Sequence, residues 1–582
     1  MPPASRPPLS LRALAIQYVA KHLPRLIDAM DKHGWILSDH HFVDNVHTEY
    51  HQYGFFCFAE LYTLKHPRNP YFQNPKLLKA ALKAGDLAAR ETDDAGLTLF
   101  SSQGYSWSRS HMGWRTYWLM QTYLRLKSHL GAERDRLWRA AIDKQLVGTL
   151  QSIEGRRKEA EYCRHGHVHN LYMWSTLCLH RARTDFGRAD LGALADEIFR
   201  ETAAAVRPAG CWSENGGPVA VYDHVTAAAL SIYAEETQAP WARETLRKNL
   251  EFHLNTTYPD LCPVETFDGR VRYTHYPITI LPPSWGTFPE GRGFVRALIR
   301  AALKTPFGGG DQPHGPWLGY PFMGEAIRFL PDDVLPDETW KPQAVYRMPE
   351  EPACVVRSEP WTFSAAAICV PPLPSQRWWL ARQNLFSLFH PKHGLILGGG
   401  NSKELEFSTV VVHEKDGAIR YVPQESALTV AADGKAATLN LRYGRSRIEA
   451  QLAVVSVTQA ELRFKLLEAG DAAVVYGQAT FLPHMGDKLS WGRGSSAKLG
   501  DQRIALSDYE LTGKKAETDA THCQIGWKRI AVQLPEGSFV RWPLEPFNTH
   551  RVDNRYPPYK RVLGVEVPLK TGETRTIRID VR

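Results

Sequence analysis

Apolar residues recur at three- and four-residue spacing from Leu9 to about Pro336, which is the period of an amphipathic α-helix. Polar loops rich in Gly, Pro, Asn and Asp interrupt this pattern and mark the ends of the helices. The predicted helices cover approximately 10–33, 52–66, 76–91, 112–130, 133–153, 168–183, 190–206, 221–236, 240–255 and 290–304. Short and long loops alternate between them, so the pattern predicts a ring of antiparallel helical hairpins.

After Trp340 the period changes to that of β-strands. The segments are short, β-branched or aromatic, and separated by turn residues, as in STVVVHEK, IEAQLAVVSV and TRTIRIDVR. This spacing of turns is typical of antiparallel hairpins stacked as a sandwich. The predicted fold class is multidomain α+β, with an incomplete (α/α) toroid of five to six helical hairpins over 1–340 and an antiparallel β-sandwich over 341–582.

The composition adds a hint about the ligand. The chain has 582 residues, 43% hydrophobic and 23% charged, as expected for a globular protein with more than one core. Its 17 Trp, 23 Tyr and 23 Phe exceed what a core usually needs. Surplus Trp and Tyr suit a cleft that stacks on sugar rings, and aromatic packing between helices is the alternative.

The formal net charge of +8 favours a polyanionic partner. No long Lys/Arg run, zinc-finger spacing or RNA-binding aromatic signature is present, so nucleic acid is not the expected partner. No segment approaches the roughly 18–20 apolar residues that span a bilayer, so no membrane partner is expected either. An acidic oligo- or polysaccharide fits the charge, and the sequence does not specify an oligomeric state.

The cysteines and the N-terminus bear on location. The eight cysteines form no CxxC pair, which is typical of free thiols in a reducing compartment. The N-terminal segment has the pattern of an amphipathic helix and lacks a signal-peptide apolar run. The expected location is cytoplasmic, or periplasmic or secreted if a leader has been removed.

The stretch RHGHVHNLYMW (164–174) places three histidines at alternate positions before a predicted helix. Three interpretations are open. His165, His167 and His169 could hold Zn²⁺, which needs three or four ligands with an orienting outer shell, and a structural divalent metal, Zn²⁺ or Ca²⁺, is the one cofactor left open. They could instead bond loop carbonyls. In a catalytic box, a histidine of near-neutral pKa would accept a proton while the adjacent Asn170 holds a carboxylate.

A second box reads GCWSENGGPVAVYDH (210–224). A Gly-rich loop carrying Trp212, Glu214 and Asn215 leads into a helix that begins near Val221. This helix presents Tyr222 and His224 at its start. The position of Tyr222 at a loop-to-helix junction, beside a histidine and a Trp-bearing loop, favours a functional role over a purely structural one.

Together, the two boxes carry a resemblance. A loop of the form G-(S/C)-(F/W)-x-(E/Q) is followed after several residues by Tyr or Tyr-x-His, downstream of an Asn/His box. On a helical domain followed by a β-sandwich, this arrangement resembles the toroid-type polysaccharide lyases. These include heparinase II/III-like, alginate and chondroitin AC or hyaluronate lyases. The resemblance implies β-elimination beside a uronic acid, which leaves a C4=C5 double bond. Because the C5 proton is only weakly acidic, neutralising the neighbouring carboxylate and stabilising the enolate-like state supply most of the rate.

The resemblance also implies roles for individual residues. Asn170 matches the group that neutralises the carboxylate, and His169 matches the base or its partner. Tyr222 matches the acid that protonates the leaving oxygen, and in syn elimination also the base. Glu214 matches the acidic residue that orients the loop.

Two departures from the family pattern leave the base unassigned. Asn215 stands roughly where the chondroitin lyase type has its catalytic histidine, and His224 follows Tyr222 by two positions rather than one. The base is therefore open between His167, His169 and His224.

Further aromatic and basic residues in the loops are candidates for substrate contact. An Arg there could grip a carboxylate or sulfate with its planar guanidinium, and packing inside the ring is the alternative for each. The candidates are Trp107, Arg109, His111, Trp114, Arg164, His167, Trp212, Asn215, Tyr276 and Trp285.

Three other functions compete with the lyase. A glycoside hydrolase needs two carboxylates about 5–9.5 Å apart, for which Glu49 and Glu214, with Asp44 or Asp223 as substitutes, are conceivable. A uronate C5-epimerase would share the proton abstraction. A non-catalytic carbohydrate-binding protein would need the aromatics and arginines but not His169 and Tyr222. Neither box is centred on a carboxylate pair, so the sequence favours the lyase.

Overall fold

The computed structural model describes residues 9–40, 43–47, 53–102, 105–158, 168–214, 217–268, 272–273, 276–305, 315–337, 340–369, 385–400, 407–482, 488–492, 503–505, 514–517, 522–527, 529–544 and 562–582. The chain divides into two compact units. The first comprises Met1–Glu214, Val221–Leu254 and His275–Lys341, and the second comprises Asn215–Ala220, Asn255–Thr274 and Pro342–Arg582. Residues 255–274, which the sequence places in the helical domain, therefore group with the second unit.

The first unit is helical. In chain order the α-helices are α1 (Leu11–Asp28), α2 (Phe55–Thr63), α3 (Pro75–Arg90), α4 (Gly113–Leu126), α5 (Gly131–Arg157), α6 (Asn170–Phe186), α7 (Gly192–Ala204), α8 (Ala220–Thr237), α9 (Pro240–Asn255), α10 (Pro283–Thr287), α11 (Pro289–Lys304) and α12 (Gly315–Ala326). Four short strands also belong to it, β1 (Leu37–His40) paired with β2 (Val43–His47), and β3 (Thr98–Ser102) paired with β4 (Tyr105–Ser110). Strands β5 (Ser213–Glu214) and β6 (Gly217–Pro218) precede α8.

Local signals explain where these helices begin and end. Ser10 caps α1 by accepting a hydrogen bond from the Ala13 N–H at 3.0 Å. Asn74 caps α3 in the same way, and Pro75 occupies its first turn, where no N–H is required. Gly187 ends α6 with a φ of +73°, a left-handed conformation that favours glycine.

Aromatic residues pack α4, α6 and α12 together in the interior of the first unit. The Trp118 ring lies 5.3 Å from that of Trp174 and 5.6 Å from that of Phe322, centroid to centroid. All three side chains are buried. A large part of the aromatic surplus seen in the sequence is therefore core packing rather than cleft lining.

The second unit contains two large antiparallel sheets. The first holds β7 (Val345–Arg347), β8 (Ala353–Ser358), β9 (Trp361–Ala366), β10 (Leu385–His390), β11 (Gly394–Leu397), β12 (Val410–Glu414), β13 (Ile419–Arg420), β18 (Ala472–Phe481), β21 (Lys514–Glu517), β24 (Phe539–Leu544) and β25 (Val562–Leu569). The second holds β14 (Glu425–Val430), β15 (Ala436–Tyr443), β16 (Ser446–Ser456), β17 (Gln459–Glu468), β19 (Lys488–Gly492), β20 (Arg503–Ala505), β22 (His522–Trp527), β23 (Ile530–Pro535) and β26 (Thr574–Val581). The prediction of a helical region followed by antiparallel sheets is confirmed.

One apolar core joins the two sheets into a sandwich. In β15, Ala437, Leu439 and Leu441 are buried while the residues between them are more accessible, which is the period-two pattern of a half-buried strand. Phe464 of β17 packs against Gly477 of β18 in the facing sheet. A Cβ atom on Gly477 would lie 2.6 Å from Phe464 Cγ, so the ring fills the space that glycine leaves.

Two further observations concern the part of the chain that the structure describes. No helix in it is long and apolar enough to cross a membrane. Its cysteines at positions 57, 178, 211, 262, 354 and 369 are free thiols.

The Phe464 contact generates a stability prediction. We expect Phe464→Ala to lower the free energy of unfolding by about 3–5 kcal/mol, because it removes a fully buried ring and leaves a cavity. Chemical denaturation followed by circular dichroism measures the change. Val457→Ala is the control, since Val457 is 64% exposed and its loss should change stability by less than about 0.5 kcal/mol. Equal effects of the two substitutions would contradict this description of the core.

Candidate active site

The structure brings the two sequence boxes together in the first unit. The Val168 backbone N–H donates a hydrogen bond to the Ser213 carbonyl at 2.8 Å. Two residues further along, Asn170 Nδ2 donates to Glu214 Oε2 at 3.0 Å. Residues 44 positions apart in the chain thus form one polar cluster at the start of α6.

His169 is the N-cap of α6. Its Nδ1 accepts a hydrogen bond from the Leu171 N–H at 3.3 Å, and the ring is half-buried. A neutral imidazole that accepts at Nδ1 carries its proton on Nε2. The second ring nitrogen is therefore a donor in the neutral form, which suits contact with an anion better than proton abstraction.

Asn170 is buried and its amide orientation is fixed by Glu214. A carboxylate can only accept hydrogen bonds, so Nδ2 must face it and Oδ1 must face away. This Oδ1 is buried and receives no hydrogen bond from any described residue. An unsatisfied buried acceptor costs about 1–3 kcal/mol, so a ligand that donates a hydrogen bond at this point would be favoured.

The loop before Glu214 is held by a tight turn. The Gly210 N–H donates to the Arg207 carbonyl at 2.8 Å, and Arg207 Nη1 donates to Ser213 Oγ at 2.8 Å. Gly210 has a φ of +94°, and a Cβ atom there would lie 2.2 Å from the Lys248 carbonyl oxygen. Only glycine fits this position, because both the backbone angle and the close approach exclude a side chain.

Asp223, in the first turn of α8, anchors the same loop from the other side. Its Oδ1 accepts a hydrogen bond from the Trp212 N–H at 2.7 Å. Its Oδ2 accepts one from Asn249 Nδ2 at 2.5 Å and lies 2.7 Å from His253 Nε2. Asn249 Nδ2 also donates to the Gly210 carbonyl at 3.0 Å, so α8, α9 and the loop meet at one carboxyl group.

Burial sets the protonation behaviour of this cluster. Burial raises the pKa of Asp223 to about 7, against the opposing effect of the hydrogen bonds from Trp212 and Asn249. Burial also lowers the pKa of His253 to about 3. The pKa of His224 is well below its usual value, because of burial and because the His253 ring lies 4.2 Å away, centroid to centroid. Both histidines are neutral at physiological pH.

Tyr222 is half-buried and directly precedes Asp223 in the first turn of α8. The anchoring of Asp223 therefore fixes the backbone that carries the phenol. The N-termini of α6 and α8 each present partial positive charge, which stabilises negative charge that develops close to Asn170 and Tyr222.

Four residues predicted to act on substrate lie in the interior instead. His224 donates its Nδ1 proton to the Ile280 carbonyl at 3.0 Å and packs on Trp285, so it is a structural residue rather than an exposed base. Trp285 and Trp114 are buried among aromatic rings, and Trp212 donates from Nε1 to the Thr202 carbonyl at 2.8 Å. Buried side chains of this kind are poorly placed to stack on a sugar ring, so their burial argues against substrate contact.

The remaining described candidates are more accessible. Arg109 is exposed and donates to the Glu91 carbonyl at 2.8 Å, within 4 Å of the Glu91 and Asp93 carboxylates. His111 is half-buried, and its ring lies over Gly148, where a Cβ atom would approach it to 1.6 Å. Burial lowers the pKa of His111. Tyr276 is also half-buried.

Several sequence candidates fall outside the described residues. These are the side chain of Trp107 and the residues Arg164, His165, His167, Asn215 and Glu49. Their predicted roles stay predictions. Within the described residues, no group of three or more His, Cys, Asp or Glu side chains is arranged to hold a metal ion.

Asn249 and His253 were not predicted from the sequence as site residues. Asp223 was considered only as a possible catalytic carboxylate of a glycoside hydrolase. A signal was present, because Asn249 and His253 are four residues apart and so lie on one face of α9. Polar residues on an otherwise apolar helical face indicate a buried partner. That partner could not be identified without the tertiary structure.

Comparison with solved structures shows the fold of this chain. A chondroitin AC lyase from Streptomyces coelicolor A3, solved in complex with chondroitin sulphate, is 12% identical, with 100% of this chain and 80% of that one covered and a TM-score of 0.52. Heparinase III is 12% identical, with 99% and 87% covered and a TM-score of 0.53. A Paenibacillus xanthan lyase is 9% identical with a TM-score of 0.53, and the alignment covers 98% of this chain but 57% of that enzyme.

These similarities confirm the predicted resemblance to toroid polysaccharide lyases and the toroid-plus-sandwich fold class. No protein-family model matches the chain, and no curated protein matches it. At 9–12% identity the comparisons define the fold, and the chemistry has to be argued from the site.

The raised pKa of Asp223 generates a prediction about stability. Between the ordinary aspartate pKa of about 3.9 and the folded-state value of about 7, the folded chain holds a proton that the unfolded chain has released. Folding stability therefore falls as the pH rises through this interval. The side chain introduced by Asp223→Asn does not titrate. The stability of the variant should therefore fall less than that of the wild type between about pH 5 and pH 8, by about 2–3 kcal/mol. Urea denaturation at several pH values measures this difference, and parallel profiles for the two proteins would contradict it.

Proposed function

We propose that this protein is a polysaccharide lyase that cleaves a glycosidic bond beside a uronic acid by β-elimination. The observation that carries the proposal is the buried Asn170 amide, which is held by Glu214 with its Oδ1 directed away from that carboxylate. A protonated carboxyl group donates one hydrogen bond and would satisfy this acceptor. The site thereby favours the neutral acid over the carboxylate at C5, which is the requirement for removing the C5 proton.

Glu214 supports this role by orienting Asn170 rather than by touching substrate. Its carboxylate engages Nδ2 and so prevents the amide from rotating by 180°. The pairing of Val168 with Ser213 keeps the two loops in register beside it. Preorganised groups of this kind contribute to catalysis because they need no rearrangement as charge develops.

Tyr222 is the group we assign to proton transfer. Its phenolate takes the C5 proton, the C5–H electron pair forms the C4=C5 double bond, and the C4–O bond breaks with its electrons on the leaving oxygen. The same phenol then protonates that oxygen, so Tyr222 ends the reaction as it began. One residue serves both steps if the two bonds lie on the same face of the sugar.

His169 is assigned to substrate binding. Its Nδ1 is used in capping α6, so the neutral ring carries its proton on Nε2. A donor beside Asn170 strengthens the hold on the uronate carboxyl group. His224 is excluded as the base because it is buried and bonded to the Ile280 carbonyl.

The hydrolase alternative has less support among the described residues. It requires one carboxylate acting as acid and a second as base or nucleophile. Glu214 is engaged with Asn170, and the Asp223 side chain is fully buried against Trp212, Asn249 and His253. Neither is placed to act on a sugar.

Ultraviolet absorbance of the conjugated C4=C5 product tests the proposal. Wild-type protein is incubated with chondroitin sulfate, heparin, xanthan, alginate and oligomers derived from them. We expect a rising signal with at least one substrate. Tyr222→Phe should lose about 10³-fold or more in kcat because it removes the proton-transfer group, and Asn170→Ala about 10²–10³-fold because it removes charge stabilisation.

His169→Asn is the matched variant, since asparagine is itself a good N-cap and preserves the start of α6. We expect it to raise KM more than it lowers kcat, as a binding residue does. New reducing ends without ultraviolet absorbance would overturn the proposal in favour of hydrolysis. Full activity of Tyr222→Phe would overturn the assignment of proton transfer.

A further inference from the structure

We propose that Asp223, with Asn249 and His253, forms a positioning clamp that sets the distance between Tyr222 and the Asn170–Glu214 pair. This inference rests on the proposed function, because it concerns how the two halves of that site are held together. None of the three clamp residues touches substrate in the proposal. They act through the backbone of the loop and of α8.

The clamp joins the three parts of the chain that carry the site. Asp223 Oδ1 holds the Trp212 N–H at 2.7 Å, two residues before Glu214. Asp223 itself follows Tyr222 in the first turn of α8. The path from the phenol to the amide therefore runs from Tyr222 to Asp223, along the backbone from Trp212 through Ser213 to Glu214, and on to Asn170. Asp223 is joined to Trp212, and Glu214 to Asn170, by a hydrogen bond of 3.0 Å or less.

Asn249 and His253 fix the clamp against α9. Asn249 Nδ2 bonds both Asp223 Oδ2, at 2.5 Å, and the Gly210 carbonyl, at 3.0 Å, so one amide holds the helix and the loop together. The His253 ring is buried and packs 5.0 Å from the Trp285 ring, centroid to centroid, which leaves it little freedom to move. Both carboxyl oxygens of Asp223 therefore have hydrogen-bond partners.

The contribution of these three residues to folding stability does not explain well why Asp223, Asn249 and His253 are buried together. Burying a carboxyl group and an imidazole side by side is unfavourable compared with burying apolar side chains of similar size. The benefit lies in geometry, because a displacement of about 1 Å at a catalytic group can cost about 10²-fold in rate. The clamp keeps the backbone of the loop and of α8 in place, so that Tyr222 and Asn170 stay within the distances that proton transfer requires.

Asp223→Asn tests the clamp with little change in volume. Asparagine presents an N–H₂ group where Oδ2 stood, so two donors face each other at Asn249 and the link to Gly210 weakens. With the best substrate of the wild-type protein, we expect kcat to fall about 10-fold or more while KM changes less than about 2-fold, since binding groups remain in place. The Trp212 amide should also exchange with deuterium faster, which mass spectrometry of the 210–214 peptide measures.

Asn249→Ala is the second variant, because it breaks the clamp from α9 without altering α8. Asp86→Asn is the matched control. Asp86 is a buried carboxylate of the same unit that accepts from Trp138 Nε1 at 2.9 Å, far in sequence from both boxes. The Asp86→Asn substitution should lower the free energy of unfolding without changing kcat or the rate of deuterium exchange in the 210–214 peptide.

The outcomes separate the clamp from the proposed function. The inference is supported if both clamp variants show faster deuterium exchange of the 210–214 peptide and a reduced kcat, while the Asp86→Asn control shows neither effect. Unchanged kcat in folded Asp223→Asn and Asn249→Ala overturns it. If wild-type protein eliminates no substrate, the proposed function fails, and unchanged exchange in the clamp variants would then overturn the clamp independently.

Discussion

The buried carboxyl group of Asp223 is the constraint on which the candidate site depends. It receives hydrogen bonds from the Trp212 backbone and from Asn249, and it lies against the His253 ring. Helix α8, helix α9 and the Gly210–Glu214 loop therefore meet at a single group. Asp223 thus links the loop that orients Asn170 to the helix that carries Tyr222.

The chemistry follows from the contrast between two neighbouring polar clusters. Around Asp223 both carboxyl oxygens have partners, so that cluster is closed and serves geometry. At Asn170 the amide nitrogen is engaged while the buried oxygen lacks a donor among the described residues, so that cluster retains an unused acceptor. The unused acceptor suits a protonated carboxyl group, and the partial positive charge of the helix N-terminus stabilises the negative charge that develops when the C5 proton leaves.

The sequence predicted the elements of this site better than their contacts. Helices predicted over 221–236 and 240–255 are observed as Ala220–Thr237 and Pro240–Asn255, because the apolar period and Pro240 mark them locally. The pairing of Asn170 with Glu214 could be expected only from the resemblance, since 44 residues separate them. Local patterns carry no information about such a distance.

The aromatic residues show what the residue type alone does not decide. Tryptophan is a residue type that often lines sugar-binding clefts, yet the side chains of Trp114, Trp212 and Trp285 are all buried. A large aromatic side chain is equally suited to a core and to a cleft, and the residue type does not decide between them. The same ambiguity hid His253, whose burial with Asp223 becomes apparent only when α8 and α9 are packed together.

The central claim is that the bond is broken by elimination, without consumption of water. The most direct measurement is the mass of the products formed in ¹⁸O-labelled water from a defined uronate oligosaccharide. Elimination predicts that the product masses add up to that of the substrate and that no label is incorporated. Products that together exceed the substrate by one water molecule, with ¹⁸O at the new reducing end, would contradict the account.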